Sequence, residues 1–248
     1  MTVPPSEKPE TLDATVRRAD PDRWLASRFI ADSAARADVM ALYAFNDELA
    51  RIAPAVSNPL LGEIRLAWWR EAIDEMTGAG SVRRHPVAEA LARAVAARRL
   101  DAALLYGMVE ARAADLDTAP FADAVELYSY LDATAGALMA LAAQALGAAD
   151  PIAAVQSAGR AWGVAGLARS HWLTGSPSRL PPDWTAADVS AAVDSLLITS
   201  RSALKALPVS AFPTVAYAAF ARAYARRRTL SDLGKRGRLV AAAVSGKL

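Results

Sequence analysis

The sequence predicts an all-α protein, and three observations carry this prediction. Apolar residues recur at helical spacing, as at Leu42, Phe45, Leu49 and Ile52. No stretch alternates apolar and polar residues as a half-buried strand does. Proline, aspartate and glycine interrupt the pattern at short intervals, which is typical of antiparallel helices joined by short connections. We therefore expect one domain of 248 residues with helices packed around a shared centre.

Capping residues set the expected boundaries of the helices. A cap followed by proline at Asp20-Pro21 predicts a long first helix that ends at Pro54. A second helix follows Pro59 and ends at Gly78. The other expected helix starts are Pro86, Asp101, Pro120, Asp150-Pro151 with an end near Leu173, and the capping box from Thr185 to Asp188.

Charge and composition divide the chain into three parts. Residues 1–19 are expected to be a flexible N-terminus, residues 20–228 a helical domain, and residues 229–248 a basic tail. Asp232 is the only acid among the many arginines and lysines that follow Arg222. Such a tail suits either a flexible, solvated end or the surface of an anionic membrane.

Composition also excludes several kinds of site. Cysteine is absent, and the two histidines, His85 and His171, lie in different segments, so a zinc site is not expected. No glycine-rich nucleotide-binding motif occurs, and no partner nucleic acid is expected. No apolar run reaches the roughly 18–20 residues of a membrane span, and the first residues lack a signal peptide's pattern. We expect a cytoplasmic protein, with a peripheral position on the inner membrane as an alternative.

Two stretches of the sequence stand out by their motifs. The first runs from Tyr43-Ala44-Phe45 to Pro54, and the second runs from Gly159 through Gly163, Gly166 and Arg169 to Pro181. Their order and spacing, with four further motifs between about Trp24 and Pro181, resemble the squalene/phytoene synthase family. The further motifs are Ser27-Arg28-Phe29, Trp68-Trp69-Arg70, Asp115-Leu116 and Tyr130 to Gly136. The resemblance implies the isoprenoid synthase fold, an all-α bundle around a central cavity.

The sequence departs from this family where the chemistry would occur. In active members, aspartates after the Tyr-Ala-Phe element and at the end of the second frame hold magnesium ions that grip a prenyl diphosphate. This chain has Ala50, Arg51 and Pro54 in the first stretch, and Ser170 and Thr174 in the second. Because Mg²⁺ requires oxygen ligands, we expect no metal, no cofactor and no catalytic residue.

An enzymatic alternative depends on displaced carboxylates. Asp47 and Glu48 lie one turn before the lost positions, and with Tyr130 they are the catalytic candidates if the protein is active. It would then be a Mg²⁺-dependent prenyltransferase that condenses prenyl diphosphates. The simpler interpretation, which we favour, is that Asp47 pairs with Arg51 as an ordinary contact at i, i+4. A third interpretation is a prenyl-lipid-binding protein without turnover.

The family resemblance also implies groups that bind an anion without a metal. These candidates are Ser27, Arg28, Tyr43, Arg51 and Arg169. An arginine on an inward helical face requires an anionic partner, since a buried unpaired charge is costly. For Arg28 and Arg169 that partner could be a structural acid such as Asp115.

The adjacent tryptophans Trp68 and Trp69 allow two interpretations. Core packing of one ring is the default for a helical pair. An exposed Trp69 would instead indicate a docking surface.

The departures themselves resemble one branch of the family. This branch is that of the mitochondrial complex I assembly factor related to phytoene synthase, together with its bacterial relatives. The segments that match are Asn46 to Ala50, His85-Pro86-Val87-Ala88 and Ser210-Ala211-Phe212-Pro213. The resemblance implies a non-catalytic assembly or scaffold factor whose partners are respiratory complex I (NADH dehydrogenase) subunits or assembly intermediates. A prenyl lipid and an anionic membrane surface are further candidate partners.

Overall fold

The computed structural model of the chain describes residues 11–78 and 81–248. Within these ranges the regular structure is helical and no strand occurs, which confirms the all-α prediction. In chain order the helices are α1 (Leu12–Ala19), α2 (Pro21–Ser27), α3 (Ser33–Ala50), α4 (Pro59–Thr77), α5 (Pro86–Arg98), α6 (Ala102–Ala111), α7 (Ala124–Leu131), α8 (Ala137–Ala145), α9 (Ile152–Thr174), α10 (Ala186–Ala203), α11 (Pro213–Ala216), α12 (Ala221–Ala225) and α13 (Asp232–Ser245). A π-helical turn at Asp132–Gly136 joins α7 to α8.

The predicted caps form in the structure. The side chain of Asp20 accepts a hydrogen bond from the Arg23 backbone N–H at 3.0 Å and so caps α2. The capping box of α10 is complete, because Thr185 and Asp188 each accept a hydrogen bond from the other's backbone N–H. α9 ends at Thr174 and is capped by Gly175, which adopts the left-handed conformation with φ of 68°.

The prediction of one long first helix is wrong. α2 ends at Ser27 and α3 begins at Ser33, and Asp32 caps the new helix by accepting from the Ala34 N–H at 2.8 Å. The break lets Ile30 turn into the core, where it is buried. The helix expected near Pro120 begins at Ala124, because Asp123 provides the cap.

Small residues allow the central helices to approach closely. α9 packs against α10, α12 and the π-helical turn. A Cβ atom added at Gly159 of α9 would lie 2.7 Å from the Cα of Gly136, so the two backbones are in direct contact. The neighbouring α8 is buried along most of its length. The residues after α9 then fold back over it as α10 to α12.

The two end segments are helical where the structure describes them. Residues 1–10 of the expected flexible N-terminus, 1–19, lie outside the described residues, and Leu12–Ala19 form α1 with Val16 buried. The segment 229–248 contains α13, which buries Leu239 and Ala242. No helix of the described residues is both long and apolar enough to cross a bilayer.

Candidate functional site

The two stretches singled out in the sequence meet at one cleft, here called the motif cleft. Its volume is about 470 Å³. Ala50 and Pro54 line it from the end of α3, and Ser170 lines it from α9. Asp115 and Asp117 contribute the nearby acids. The fold therefore brings together the positions at which this frame would carry metal ligands.

The side chains of the motif cleft do not fit a magnesium cluster. Ala50 and Pro54 provide no ligand, and the Thr174 hydroxyl donates to the Ser170 carbonyl at 2.8 Å. Within residues 11–78 and 81–248, no group of three or more His, Cys, Asp or Glu side chains is placed to hold a metal ion. Because Mg²⁺ needs several oxygen ligands in a near-octahedral arrangement, the cleft lacks the donor set for it.

Arg51 forms ion pairs with both displaced carboxylates, those of Asp47 and Glu48. Its Nε lies 3.1 Å from Asp47 Oδ2, the contact that the i, i+4 spacing predicts, and its Nη2 lies 2.6 Å from Glu48 Oε1. Burial raises the pKa of the Asp47 carboxyl, and Arg51 counteracts part of this rise. The carboxylates of Asp47 and Glu48 are therefore both paired with Arg51, which follows the last residue of α3. The guanidinium of Arg51 is in turn neutralised by these two acids.

Tyr130 and Asp115 belong to a network around an arginine that the sequence did not single out. Arg112 donates to Asp115 Oδ2 at 2.9 Å, to the Tyr130 hydroxyl at 3.0 Å and to Asn46 Oδ1 at 3.0 Å. Tyr130 in turn donates to Asp115 Oδ1 at 2.7 Å. Burial raises the pKa of Tyr130 above its usual range, so the phenol stays protonated. The network joins α3, α7 and the 3-10 turn Arg112–Leu116 that follows α6, and it uses both oxygens of Asp115.

A second unpredicted arginine fills the interior beside Tyr43. Arg23 is 7% exposed, and its guanidinium lies over the rings of Tyr217, Trp162 and Tyr43 at 5.0, 5.5 and 5.8 Å. Asp20 neutralises it at 2.6 Å. Burial raises the pKa of the Tyr43 hydroxyl. An aromatic cage of this kind stabilises a buried cation, and it leaves Tyr43 packed against protein.

Ser27 and Arg28 are paired with each other at the C-terminal end of α2. Ser27 is buried, donates to the Trp24 carbonyl at 2.6 Å and accepts from Arg28 Nη2 at 2.9 Å. Arg28 also donates to Asp13 Oδ1 at 2.6 Å. Arg28 therefore pairs with a structural acid, as the sequence analysis allowed, but the acid is Asp13 of α1 and not Asp115.

Arg169 reaches a different acid as well. Its Nη1 lies 3.7 Å from Asp22 Oδ2, and its guanidinium covers the Tyr224 ring at 4.3 Å. Asp22 is buried, accepts from the Tyr224 hydroxyl at 2.7 Å and pairs with Lys235 Nζ at 2.7 Å. Asp115 is thus not the partner of Arg169 either. The cluster around Asp22 instead joins α2, α9, α12 and α13.

The sequence that forms this fold and cleft matches a known protein family. A family model described as squalene/phytoene synthase matches residues 16–244. The chain belongs to the squalene/phytoene synthase family.

Solved structures of squalene/phytoene synthase relatives share the fold. A dehydrosqualene synthase in complex with ligand superposes with a TM-score of 0.75 at 15% identity, covering 95% of this chain and 94% of that one. The squalene synthase HpnC from Alicyclobacillus acidocaldarius gives a TM-score of 0.70 at 14% identity, covering 95% and 93%. The predicted isoprenoid synthase-type bundle is confirmed.

Curated relatives lie in the branch that the sequence resembles. The chain is 30% identical over 172 residues to the proteins named NADH dehydrogenase (ubiquinone) complex I, assembly factor 6, from Bos taurus and Homo sapiens. The match covers 68% of this chain and 51% of each relative. The chain thus spans about half the length of the curated relatives it matches.

The tryptophan pair of this family member is part of the core. Trp69 is buried and packs edge-on against Phe45 at 5.1 Å and against Trp68 at 4.9 Å. Trp68 is half-buried and stacks beneath the guanidinium of Arg83 at 4.6 Å. The default interpretation of core packing is confirmed, and the exposed Trp69 of the docking alternative does not occur.

Proposed function

We propose that this chain is a non-catalytic member of the squalene/phytoene synthase family that assists the assembly of respiratory complex I. The observation that carries the proposal is the motif cleft, where Ala50, Pro54 and Ser170 occupy the positions of the expected metal ligands. The relatives at 30% identity, named as complex I assembly factors, support the same conclusion. The proposed partners are complex I subunits or assembly intermediates, met at the inner membrane surface.

Physical chemistry argues against prenyl transfer at this site. Ionisation of a prenyl diphosphate requires neutralisation of the charge that develops on the leaving group. Here Asp47 and Glu48 are paired with Arg51, and Asp115 is bonded to Arg112 and Tyr130. Asp117 is the other carboxylate among the described residues that line the cleft, and it accepts from the Ala119 N–H at 2.9 Å. One such carboxylate does not provide the ligand set of a metal cluster. The proposal therefore includes no bound magnesium.

A prenyl-lipid-binding role without turnover has less support than the scaffold role. The interior beside Tyr43 is occupied by the caged side chain of Arg23, with Trp162 and Tyr217 packed around it. An isoprenoid chain entering there would have to displace a buried cation from its aromatic cage and from Asp20.

Two assays test the proposal. In the first, purified protein is incubated with farnesyl and geranylgeranyl diphosphate, with and without Mg²⁺, while diphosphate release and lipid products are followed. We expect no release. Mg²⁺-dependent release that Asp47→Ala abolishes would contradict the non-catalytic part of the proposal and identify displaced carboxylates as ligands.

In the second assay, cells lacking this chain are compared with cells that carry it. Membranes are assayed for NADH:quinone oxidoreductase activity, and native gels measure the amount of assembled complex I. We expect both to fall in the deletion and to be restored equally by the wild-type chain and by Asp47→Ala. Unchanged complex I in the deletion would contradict the assembly role, whatever the first assay shows.

A further inference from the structure

A larger cavity, separate from the motif cleft, lies beside the C-terminal helix α13, and we call it the C-terminal trough. Its volume is about 730 Å³, which is within the usual range for small-molecule sites. It is formed by the end of α10, the residues that lead into α11, and α13. Its apolar wall includes Phe29, Leu204, Leu207, Phe212, Ala216 and Leu239. None of the residues that line the motif cleft lines the trough.

Apolar side chains around the trough are unusually accessible. Ile198 is 59% exposed and Val209 is 90% exposed, while Phe29 presents part of its ring. Large apolar side chains that are grouped around a concave surface mark a binding site more often than isolated ones do. The wall therefore suits the insertion of an apolar chain.

The charged residues of the trough all have one sign. Arg201, Lys205 and Lys247 line it and are exposed, and no acidic residue is among its lining. Among the described residues, none of these three side chains lies in an ion pair with a carboxylate. Arg201 and Lys205 are one helical turn apart, so both can reach the same anionic group. Arginine and lysine at such a position suit a carboxylate or a phosphate.

The geometry points to the C-terminal trough as a site for an anionic amphiphile with one long alkyl chain. The chain would lie along Leu204, Phe212 and Leu239, and the head group would lie at Arg201 and Lys205. An acidic peptide fits less well, because three of the lining residues are cations and most of the wall is apolar. The shared chemistry is a single alkyl chain that ends in an anion, whether the source is a fatty acid or a lysophospholipid.

Binding can be measured by displacement of a fluorescent fatty acid from the full chain, with native mass spectrometry to give the stoichiometry. The competitors are palmitate, palmitoyl lysophosphatidate, uncharged monopalmitin and glycerol 3-phosphate, all below their critical micelle concentrations. We expect one molecule of an anionic amphiphile per chain. Monopalmitin and glycerol 3-phosphate should each bind at least about tenfold more weakly than the anionic amphiphile. Monopalmitin lacks the charge, and glycerol 3-phosphate lacks the alkyl chain. Binding by lysophosphatidate alone would identify phosphate as the head group, and binding by palmitate too would identify the anion in general.

Matched variants separate the trough from the rest of the surface. Ala243→Trp places an indole in the trough and should abolish binding, whereas Ala241→Trp adds the same side chain to an exposed position of α13 outside the lining. Arg201→Glu with Lys205→Glu should weaken binding about tenfold or more. Its control, Arg84→Glu with Arg93→Glu, reverses two exposed charges that do not line the trough.

Circular dichroism of each variant confirms that it is folded before binding is measured. The inference is overturned if no amphiphile binds, if monopalmitin binds as tightly as palmitate, or if Ala243→Trp binds as the wild type does.

Discussion

Replacement of Asp22 by asparagine tests whether α13 is held to the domain by a buried ion pair. Asp22 is 2% exposed and pairs with Lys235 of α13 at 2.7 Å. Removing one partner of a buried pair costs about 3–5 kcal/mol, because the other charge is left uncompensated. The side chain of Lys235 is 13% exposed and that of Arg169 is 43% exposed, so both can regain some contact with water. We therefore expect Asp22→Asn to lower the free energy of unfolding by about 2–3 kcal/mol.

The assay is urea unfolding followed by far-UV circular dichroism, with thermal unfolding as a second measure. For a chain of this size, the expected loss corresponds to a fall in Tm of about 5–10 °C. Hydrogen exchange should locate the effect, with the amides of α13 losing protection first.

The double-mutant cycle with Lys235→Met isolates the pair from other effects of the substitution. Lys235→Met keeps the length of the side chain but removes its charge, and the double variant gives the coupling free energy. We expect a coupling of about 1–3 kcal/mol. An Asp22→Asn variant within about 0.5 kcal/mol of the wild type, with unchanged protection of α13, would refute the reasoning.

Other substitutions probe packing and charge. Gly159→Ala should lower the free energy of unfolding by about 1–3 kcal/mol, because its Cβ would lie 2.7 Å from the Gly136 backbone. A Cβ at Gly166 would meet no atom of another part of the chain within 4 Å. Gly166→Ala should therefore raise the free energy of unfolding by about 0.5–1 kcal/mol in the same urea assay. If both changes have the same sign, the close contact is not what constrains Gly159. The hydrogen bond from Arg222 lowers the pKa of Asp194. The ionised carboxylate therefore stabilises the folded state above about pH 4, and this stabilisation is lost as the pH falls through the lowered pKa. Asp194→Asn should therefore cost about 1 kcal/mol at pH 7, with a smaller difference at pH 3; a difference independent of pH would contradict this assignment.

Local features of the sequence predicted most of the fold. The capping box of Thr185 and Asp188, and the stop at Gly175, depend on residues within one helical turn, so a short stretch contains the whole signal. The sequence does not predict the break between α2 and α3, because the apolar spacing of a continuous helix extends across it. Only the cap at Asp32 indicates that a new helix begins there.

The candidate site was predicted less completely, because its contacts join distant parts of the chain. Arg112 bonds to Asn46, which lies 66 residues away, and Asp22 accepts from Tyr224, which lies 202 residues away. No short pattern contains such pairs. The weak signal for Arg112 is its position three residues before Asp115, which places the two on one face. Arg23 follows its cap Asp20 by three residues, but nothing local indicates that Trp162 and Tyr217 enclose it.

The retained frame of the second stretch has a structural reason that does not involve diphosphate. Gly159 lets α9 contact the π-helical turn at Gly136, and a Cβ at Gly163 would lie 2.4 Å from the side chain of Leu131. These contacts constrain the glycines whether or not a metal is bound. Ser170 and Thr174 lie toward the end of the same helix, one exposed to the cleft and the other at its last turn, so the core does not constrain their identity. The packing half of the motif can therefore persist after its chemical half is lost, and the frame by itself indicates the fold and not the reaction.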